Sequence, residues 1–347
     1  MTGSTASLRR RRRKAQRVTL NEVAELAGVS PSTVSLYIRK PDAVSEDRAH
    51  RVSEAIAKLG YVPNLMAGGL AAASSRIVSV IVPSIRNAFF AETVSTIQAA
   101  LGSEGFQVLL GHTEYSEAQE EALVRAALSW APAAIVLTGL SHSHGTRALL
   151  AASDVPVVEM WELGGPTIDM AVGFSHEEAG AAAARHLIAR GRKNIAYVGA
   201  RLHEDHRAAR RADGFLRELA PESGQAGRII RHPGPATADA GALLLNRALQ
   251  QFPGLQGLAC SNDLVALGVL FECQRRGIRI PEDLAVIGFG DLGFSASCNP
   301  PLTTIRPSGD VIGLEVARLV LASVKGKPEA PEPVIDTSFL LVERRST

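Results

Sequence analysis

The sequence predicts an α/β protein: an N-terminal helix-turn-helix unit of three helices, followed by a two-lobed core of doubly wound parallel sheets. Three observations predict it. Thr19 to Leu70 reads as three short helices and a hinge. From Arg76 onward, near-continuous apolar runs alternate with helical stretches, the pattern of parallel strands covered on both faces. Nine such runs are too many for one compact sheet, and a division near Ser175 gives two.

Residues 9–17 hold seven Arg or Lys and no acid. A run of this kind is a solvated disordered tail or a phosphate-seeking arm, and the two readings are compatible. The first helix opens on Thr19-Leu20-Asn21-Glu22, a capping box in which the Thr oxygen and Glu carboxylate satisfy each other's backbone N–H groups. Leu20, Val23, Ala24 and Ala27 then recur on one helical face. Gly28-Val29 makes a tight turn. Ser30 caps the next helix, and Pro31 sits in its first turn, where a missing N–H costs nothing.

In that second helix Val34, Tyr37 and Ile38 face inward, which leaves Ser32, Thr33, Ser35 and Leu36 outside. Small hydroxyl residues are unusual on a solvated face, which normally carries Lys and Glu. They suit a helix pushed into the DNA major groove, where bulky charge would block approach. A plain three-helix bundle explains the spacing but not this chemistry. The third helix begins at Ser45, with Glu46 and Asp47 at its positive end, buries Val52, Ile56 and Leu59, and stops at Gly60. Pro63 to Leu70 follows as a hinge or a plain linker. Gly68 and Gly69 favour the linker, because each Gly costs about 1 kcal/mol against Ala in a helix.

The strand-like runs are IVSVIVP, FQVLLGH, AAIVLTG, VPVVEMW, MAVGFS, NIAYVGA, RIIRHPG, LQGLACS and LAVIGFG. Between most of them lie helical stretches such as EEAGAAAARHLIARG and DLVALGVLFECQRRG. LTTIRPS and VIDTSFLLV are expected to run back between the lobes. Ligands in open α/β sheets sit beyond the carboxyl ends of the strands. The residues placed there are Pro83-Ser84, His112, Thr138, Trp161, Phe174, Asn262-Asp263 and Gly290-Asp291.

Composition narrows the function classes. Lys and Arg number 37 against 35 Asp and Glu, so the net charge of +2 conceals the basic N-terminal run. No apolar run reaches the ~18 residues of a membrane-spanning helix, and the charged N-terminus has no apolar segment behind it to make a signal peptide. Three cysteines at unremarkable spacing form no disulfide framework or metal motif, which fits a reducing cytoplasm. His142-Ser143-His144 and His203 to His206 lack metal-ligand spacing and read best as exposed loops. No phosphate-binding glycine loop and no nucleophile elbow occurs. Glu159 and Glu162 flank Trp161 as a capping pair or rim charges. The sequence therefore predicts no catalytic residues, no cofactor and no metal.

The runs TLNEVAELAGVSPSTVS and VSEDRAHRVSEAIAKLGYVPN resemble the DNA-binding headpiece of lactose/galactose-repressor-type regulators, and the resemblance continues to the C-terminus. It implies a periplasmic-binding-protein-like core, with ligand in the cleft between lobes. The expected organisation is a basic tail (1–17), a helix-turn-helix domain (18–62), a hinge (63–75) and an effector-binding and dimerisation core (76–347). In that core lobe one spans about 76–174 and 307–335, and lobe two about 175–306 and 336–347. The DNA contacts it implies are Thr19, Ser30, Pro31, Ser32, Thr33, Ser35, Leu36, Asn64 and Leu70. Leu70 matches the leucine that the family's hinge drives into the minor groove as an apolar wedge. Leu36 stands where the family usually has an Arg that contacts guanine.

Effector contacts map by resemblance onto Ser84, Trp161, Phe174, Arg211 and Asn262, with Phe89 nearby. Core packing explains Phe89 and Phe174 equally well, an N-cap explains Asn262, and a solvated face shared with Arg207 and Arg210 explains Arg211. Sugar-binding members often place carboxylates where this chain has Trp161 and Gly290. Their loss, with Arg211 kept, favours an anionic ligand. Thr138 and His142 fall in a stretch that resembles the gluconate-operon repressor branch, although an exposed loop histidine fits His142 as well. The resemblance implies a cytoplasmic homodimeric repressor, with double-stranded operator DNA and a sugar-acid effector such as gluconate as partners. A cytoplasmic small-molecule binding protein or a sugar-modifying enzyme with an accessory helical bundle is the alternative.

Overall fold

The computed structural model describes residues 18–62, 75–85, 88–219, 228–325 and 333–347. Asn64 and Leu70, with the glycines between them, lie outside the described residues, as does the basic run before Val18. The chain divides into two compact units, residues 1–74 and 75–347.

The first unit is built from α1 (Leu20–Ala27), α2 (Pro31–Arg39), a 3-10 turn (Pro41–Ala43) and α3 (Glu46–Leu59). Its core is small: Val23, Ala24 and Ala27 from α1 meet Val34 from α2 and Val52 and Ala55 from α3. Ile56 and Leu59 pack against this core only partly buried, so Ala55 takes a place in the stripe that the sequence assigned to larger side chains. Both ends of α1 are fixed locally. The Thr19 N–H donates to Glu22 Oε2 at 2.6 Å, the Glu22 N–H donates back to Thr19 Oγ1 at 3.3 Å, and Gly28 closes the helix at a φ of 62°.

The second unit contains two six-stranded sheets. Sheet one has the order β11-β5-β4-β3-β1-β2, with β1 (Ile77–Val82), β2 (Gln107–His112), β3 (Ala134–Thr138), β4 (Val157–Met160), β5 (Met170–Gly173) and β11 (Val334–Asp336). Sheet two has the order β12-β10-β9-β8-β6-β7, with β6 (Ile195–Ala200), β7 (Ile229–His232), β8 (Gly257–Cys260), β9 (Ala285–Phe289), β10 (Thr303–Pro307) and β12 (Phe339–Val342). Every described pairing is parallel except β10 with β12. Each sheet is covered on both faces, which is why its central strands read as unbroken apolar runs.

The helices that matter for the site are α4 (Ala88–Ser103), α5 (Glu117–Ser129), α6 (His144–Ala151), α7 (His176–Ala189), α8 (His206–Arg217), α9 (Ala238–Gln251), α10 (Asp263–Arg276) and α11 (Gly309–Lys325). The chain passes between the sheets three times: after β5, between β10 and α11, and between β11 and β12. VIDTSFLLV, one run in the sequence, is two strands in two different sheets. The reversal lies at Thr337-Ser338, where Ser338 adopts a φ of 56° and its N–H donates to Asp336 Oδ1 at 2.8 Å. LTTIRPS supplies β10, an ordinary parallel strand of sheet two.

Helices α7 and α8 approach unusually closely. A Cβ on Gly180 would lie 1.8 Å from the Arg211 carbonyl oxygen, and one on Gly214 would lie 1.9 Å from that of Glu177. Two backbone-to-backbone contacts of this kind fix the height of α8 on sheet two, and with it the position of every arginine that α8 carries.

Candidate functional site

The first candidate surface is the outer face of α2. Ser30 Oγ accepts from the Thr33 N–H at 3.2 Å and lies 2.7 Å from Ser32 Oγ and 2.8 Å from Thr33 Oγ1. Thr19, Ser30, Pro31 and Ser32 are exposed; Thr33, Ser35 and Leu36 are half-buried. The helix therefore offers hydroxyls and one aliphatic side chain with no charge before Arg39. That is the chemistry of base-edge contact, not of a solvated face.

The second candidate is a cleft between the carboxyl ends of the two sheets. Its inner end is a void of about 20 Å³, lined by Phe89, Phe90, Trp161, His176, Arg207, Arg211 and Phe289 among others. Arg211 is buried, with its guanidinium 3.8 Å from the Phe289 ring centroid. Its Nη2 donates to the Ser261 carbonyl at 2.8 Å, and its Nη1 lies 2.9 Å from His176 Nδ1. The other His176 nitrogen, Nε2, lies 2.8 Å from the Trp161 carbonyl oxygen, an acceptor only. Nε2 therefore carries the proton and Nδ1 accepts from Arg211. Burial, then the charges of Arg211 and Arg207, hold His176 well below its ordinary pKa, so it stays neutral. The Arg211 Nε is buried and has no hydrogen-bond partner among the described residues.

Trp161 lines this end, nearly fully buried, with a φ of 71°, a conformation uncommon for a bulky residue. Its indole N–H donates to Thr93 Oγ1 at 3.2 Å, and its ring meets Phe90 edge-on at 5.2 Å between centroids. Gly290 lies opposite with a φ of 124°, and a Cβ there would fall 2.2 Å from Phe89 Cε1. The Phe89 ring thus occupies the space that a side chain at position 290 would need.

The outer end is a larger void of about 40 Å³, lined by Thr138 and Ser141, by Glu117, Glu120 and Glu162, and from lobe two by Glu204, His206 and Arg207. Thr138 Oγ1 donates to the Ile81 carbonyl at 3.1 Å, and the Thr138 carbonyl accepts from Arg207 Nη1 at 3.2 Å, a direct bond between lobes. A second inter-lobe contact is the ion pair of Arg210 Nε with Glu162 Oε1 at 2.9 Å, whose angle is not that of a hydrogen bond. Glu162 Oε2 also accepts from the Leu140 N–H at 3.0 Å.

Comparison with known proteins decides the family. Residues 19–64 match bacterial regulatory proteins of the lacI family, and residues 184–347 match the periplasmic binding protein-like domain. An HTH-type transcriptional regulator GntR from Pseudomonas aeruginosa is 41% identical over 333 residues, covering 95% of this chain and 96% of its own. The chain belongs to the LacI family of bacterial regulatory proteins.

Other LacI-family relatives agree along the whole length. The regulator GntR of Escherichia coli is 32% identical, covering 94% of this chain and 98% of its own. A LacI-family regulator from Silicibacter pomeroyi superposes with a TM-score of 0.88 at 31% identity, covering 95% and 99%. The lac repressor dimer bound to operator and an anti-inducer superposes with a TM-score of 0.79 at 25% identity, covering 95% and 99%. These relatives are transcriptional regulators, and this chain is a DNA-binding transcriptional regulator of the same type, not an enzyme. Among the described residues, no helix is long and apolar enough to cross a membrane.

The structure gathers some of the expected effector residues and separates others. Arg211, Trp161 and Phe89 line the inner end, and Thr138 the outer. Ser84 is buried beside the outer end, where its hydroxyl donates to Glu114 Oε1 at 3.3 Å. Phe174 is fully buried behind the cleft, packed on Trp161, Phe289 and Phe339, and lines neither void. Asn262 caps α10, its Oδ1 accepting from the Val265 N–H at 2.9 Å, and also lines neither void.

His142 is not an exposed loop residue, and it lines neither void. Its side chain is wholly buried between Glu120 at 2.7 Å and Glu159 at 3.1 Å, so both ring nitrogens are spent. Glu159 and Glu162 are likewise buried ion-pair partners, not rim charges. The cleft is also not stripped of carboxylates: Glu117 and Glu120 on α5 bring acids from a helix that the sequence comparison never placed there. Arg207 and His176 were missed because their neighbours Arg210 and Glu177 look equally plausible along the chain.

Proposed function

We propose that the protein is a homodimeric transcriptional repressor whose affinity for a palindromic operator is set by a sugar acid, gluconate first among candidates. The observation that carries this reading is the two-ended cleft. Its inner end is small and carries a net positive charge, with Arg207 and Arg211 against the single acid Asp205, 3.7 Å from Arg207, and a neutral His176. Its outer end is larger and lined by carboxylates. An aldonate has the matching polarity, one carboxylate at one end and a run of hydroxyls at the other. Arg211 holds the carboxylate, with Arg207 beside it, and Trp161 lies along the C–H face of the chain. A neutral sugar leaves Arg211 without an anion, which costs more than losing one hydroxyl contact. The resemblance to the gluconate-operon repressor branch points the same way.

The α2 face supports operator reading with Leu36 in place of a charged contact. An aliphatic side chain offers apolar contact to a thymine methyl and no partner for guanine. Leu109 and Leu110 on the edge strand β2, with Val311 and Leu314 on α11, are exposed apolar side chains that support a dimer. In this reading effector and operator favour different arrangements of the two lobes, and the shift is no larger than the effector's differential affinity for them. Calorimetry of the full chain with gluconate, glucose and adenine tests the assignment. Binding of gluconate in preference to glucose is expected. Tight glucose binding with none of gluconate overturns the acid reading, and adenine binding moves the effector to the purine class.

A further inference from the structure

His142, buried beneath the outer end of the cleft, is the least explained group in the core. Its Nδ1 faces Glu120 Oε1 at 2.7 Å and its Nε2 faces Glu159 Oε1 at 3.1 Å. A neutral imidazole has one N–H and can serve one carboxylate. Two carboxylates on opposite nitrogens call for the doubly protonated ring. Burial acts against that charge, but the hydrogen bonds to Glu120 and Glu159 and their charges outweigh it and lift the pKa to about 9.

The two acids differ in what else they touch. Glu159 is wholly buried, and its second oxygen accepts from the Ile168 N–H at 2.6 Å. Glu120 reaches the cleft with a side chain 11% exposed, and among the described residues its second oxygen makes no hydrogen bond. One imidazolium against two carboxylates leaves a surplus negative charge, and Glu120 Oε2 presents it to the void. The neighbouring groups do not cancel it: of those lining the void, His206 faces Glu117 at 3.7 Å, Glu162 faces Arg210 at 2.9 Å and Glu204 faces Arg201 at 3.6 Å. Glu121 turns away to Ser143 and Arg125, and Arg147 donates to the Leu140 carbonyl. Arg207, on the far wall, is held by the Thr138 carbonyl. Among the described residues no group of three or more His, Cys, Asp or Glu could hold a metal ion, so this acid is not one ligand of a set.

We infer that Glu120 is a specificity residue of the cleft, accepting a hydroxyl hydrogen bond from the end of the effector remote from its carboxylate, and that His142, braced by Glu159, is the group that positions it. The inference rests on the sugar-acid reading above. It adds a second recognition point: Arg211 selects for the acid, and Glu120 selects for a hydroxyl at the far end of the chain. An oxygen fixed in advance by a buried clamp loses little freedom on binding, which is what makes it discriminating.

The test is calorimetric titration of the full chain with D-gluconate across pH 7 to 10. Glu120→Gln is expected to weaken binding about tenfold at pH 7, the loss of one charge-assisted acceptor. The unaltered protein is expected to lose affinity as the pH rises through about 9, where His142 gives up its proton and releases Glu120. That step should be absent in Glu120→Gln and in His142→Gln, a signature that a purely structural histidine would not give. Unchanged affinity in Glu120→Gln, or an undiminished pH step in that variant, overturns the inference and leaves the sugar-acid reading standing. Failure of the unaltered protein to bind gluconate, with glucose bound instead, removes both.

Discussion

The helix-turn-helix unit and the inter-lobe cleft hold their candidate contact groups by opposite means. In the first, the reading groups stand on one exposed helix, held by a core of six small side chains and by caps whose partners lie three residues apart. In the second, each candidate contact is buried and held by residues far away in sequence: Arg211 by Ser261 and His176, Glu120 by His142, Trp161 by Thr93. A surface that must accept a long, charged duplex keeps its contacts exposed and small. A cleft that must tell one small polar molecule from another desolvates its contacts and fixes them beforehand, since a buried unpaired group costs more than an exposed one.

That difference can be broken from the cleft side first. Gly180→Val should be the most damaging change, because a side chain there meets the Arg211 carbonyl of α8 and forces two helix backbones apart. We expect the core to lose about 3 kcal/mol or more, read as a lower calorimetric melting temperature. An unchanged melting temperature would show that α7 and α8 separate freely.

The buried His142 clamp gives the next effect. Its pKa is raised on folding, so its stabilisation is fully present below the ordinary 6.5 and is lost as the pH rises through about 9. That interval corresponds to roughly 3 kcal/mol at most. Chemical denaturation at pH 7 and pH 10 should show the loss in the unaltered protein and a smaller one in His142→Gln.

Arg211→Ala removes a charge-assisted contact of roughly 1.5–3 kcal/mol, so gluconate affinity should fall about ten- to a hundredfold. Operator affinity without effector should stay the same, which contrasts the two regions directly in one gel-shift and one titration.

On the DNA side the expected effects are smaller. Leu36→Ala should reduce discrimination at a single position of each half-site by about 1 kcal/mol. Binding-site selection that returned a strong guanine requirement abolished by this change would sink the apolar-contact reading. Thr19→Ala should cost about 1 kcal/mol of stability through the lost capping box of α1, measurable by denaturation of the full chain and without effect on effector affinity.

How far each region could be read from the chain follows from the same contrast. The caps of α1 and α2, the turn at Gly28 and the inward positions Val23, Val34 and Val52 were legible because their causes lie within four residues. The central apolar strands were legible because burial on both faces writes itself as an unbroken run; the edge strand β2 reads the same way although its Leu109 and Leu110 are exposed. The passage of VIDTSFLLV from one lobe to the other was legible too, but its break into two strands at Thr337-Ser338 was not, since a local turn there leaves no mark in an apolar pattern. On α8 the spacing left Arg207, Arg210 and Arg211 equivalent. Only the packing of Gly180 and Gly214 turns Arg211 onto Phe289, Arg207 to Thr138 and Arg210 to Glu162.

The sequence by itself determined the kind of protein this is: a small helical reader joined to two parallel-sheet lobes, with an arginine before Gly-Phe in the second. Local hydrogen bonding and the periodicity of burial suffice for that, because both act over a few residues. Only the tertiary structure decided which acids face the cleft and which histidine is charged. Those outcomes depend on desolvation and on partners 17 and 22 residues apart for His142 and 35 and 50 for Arg211, distances over which a linear pattern carries no geometric information.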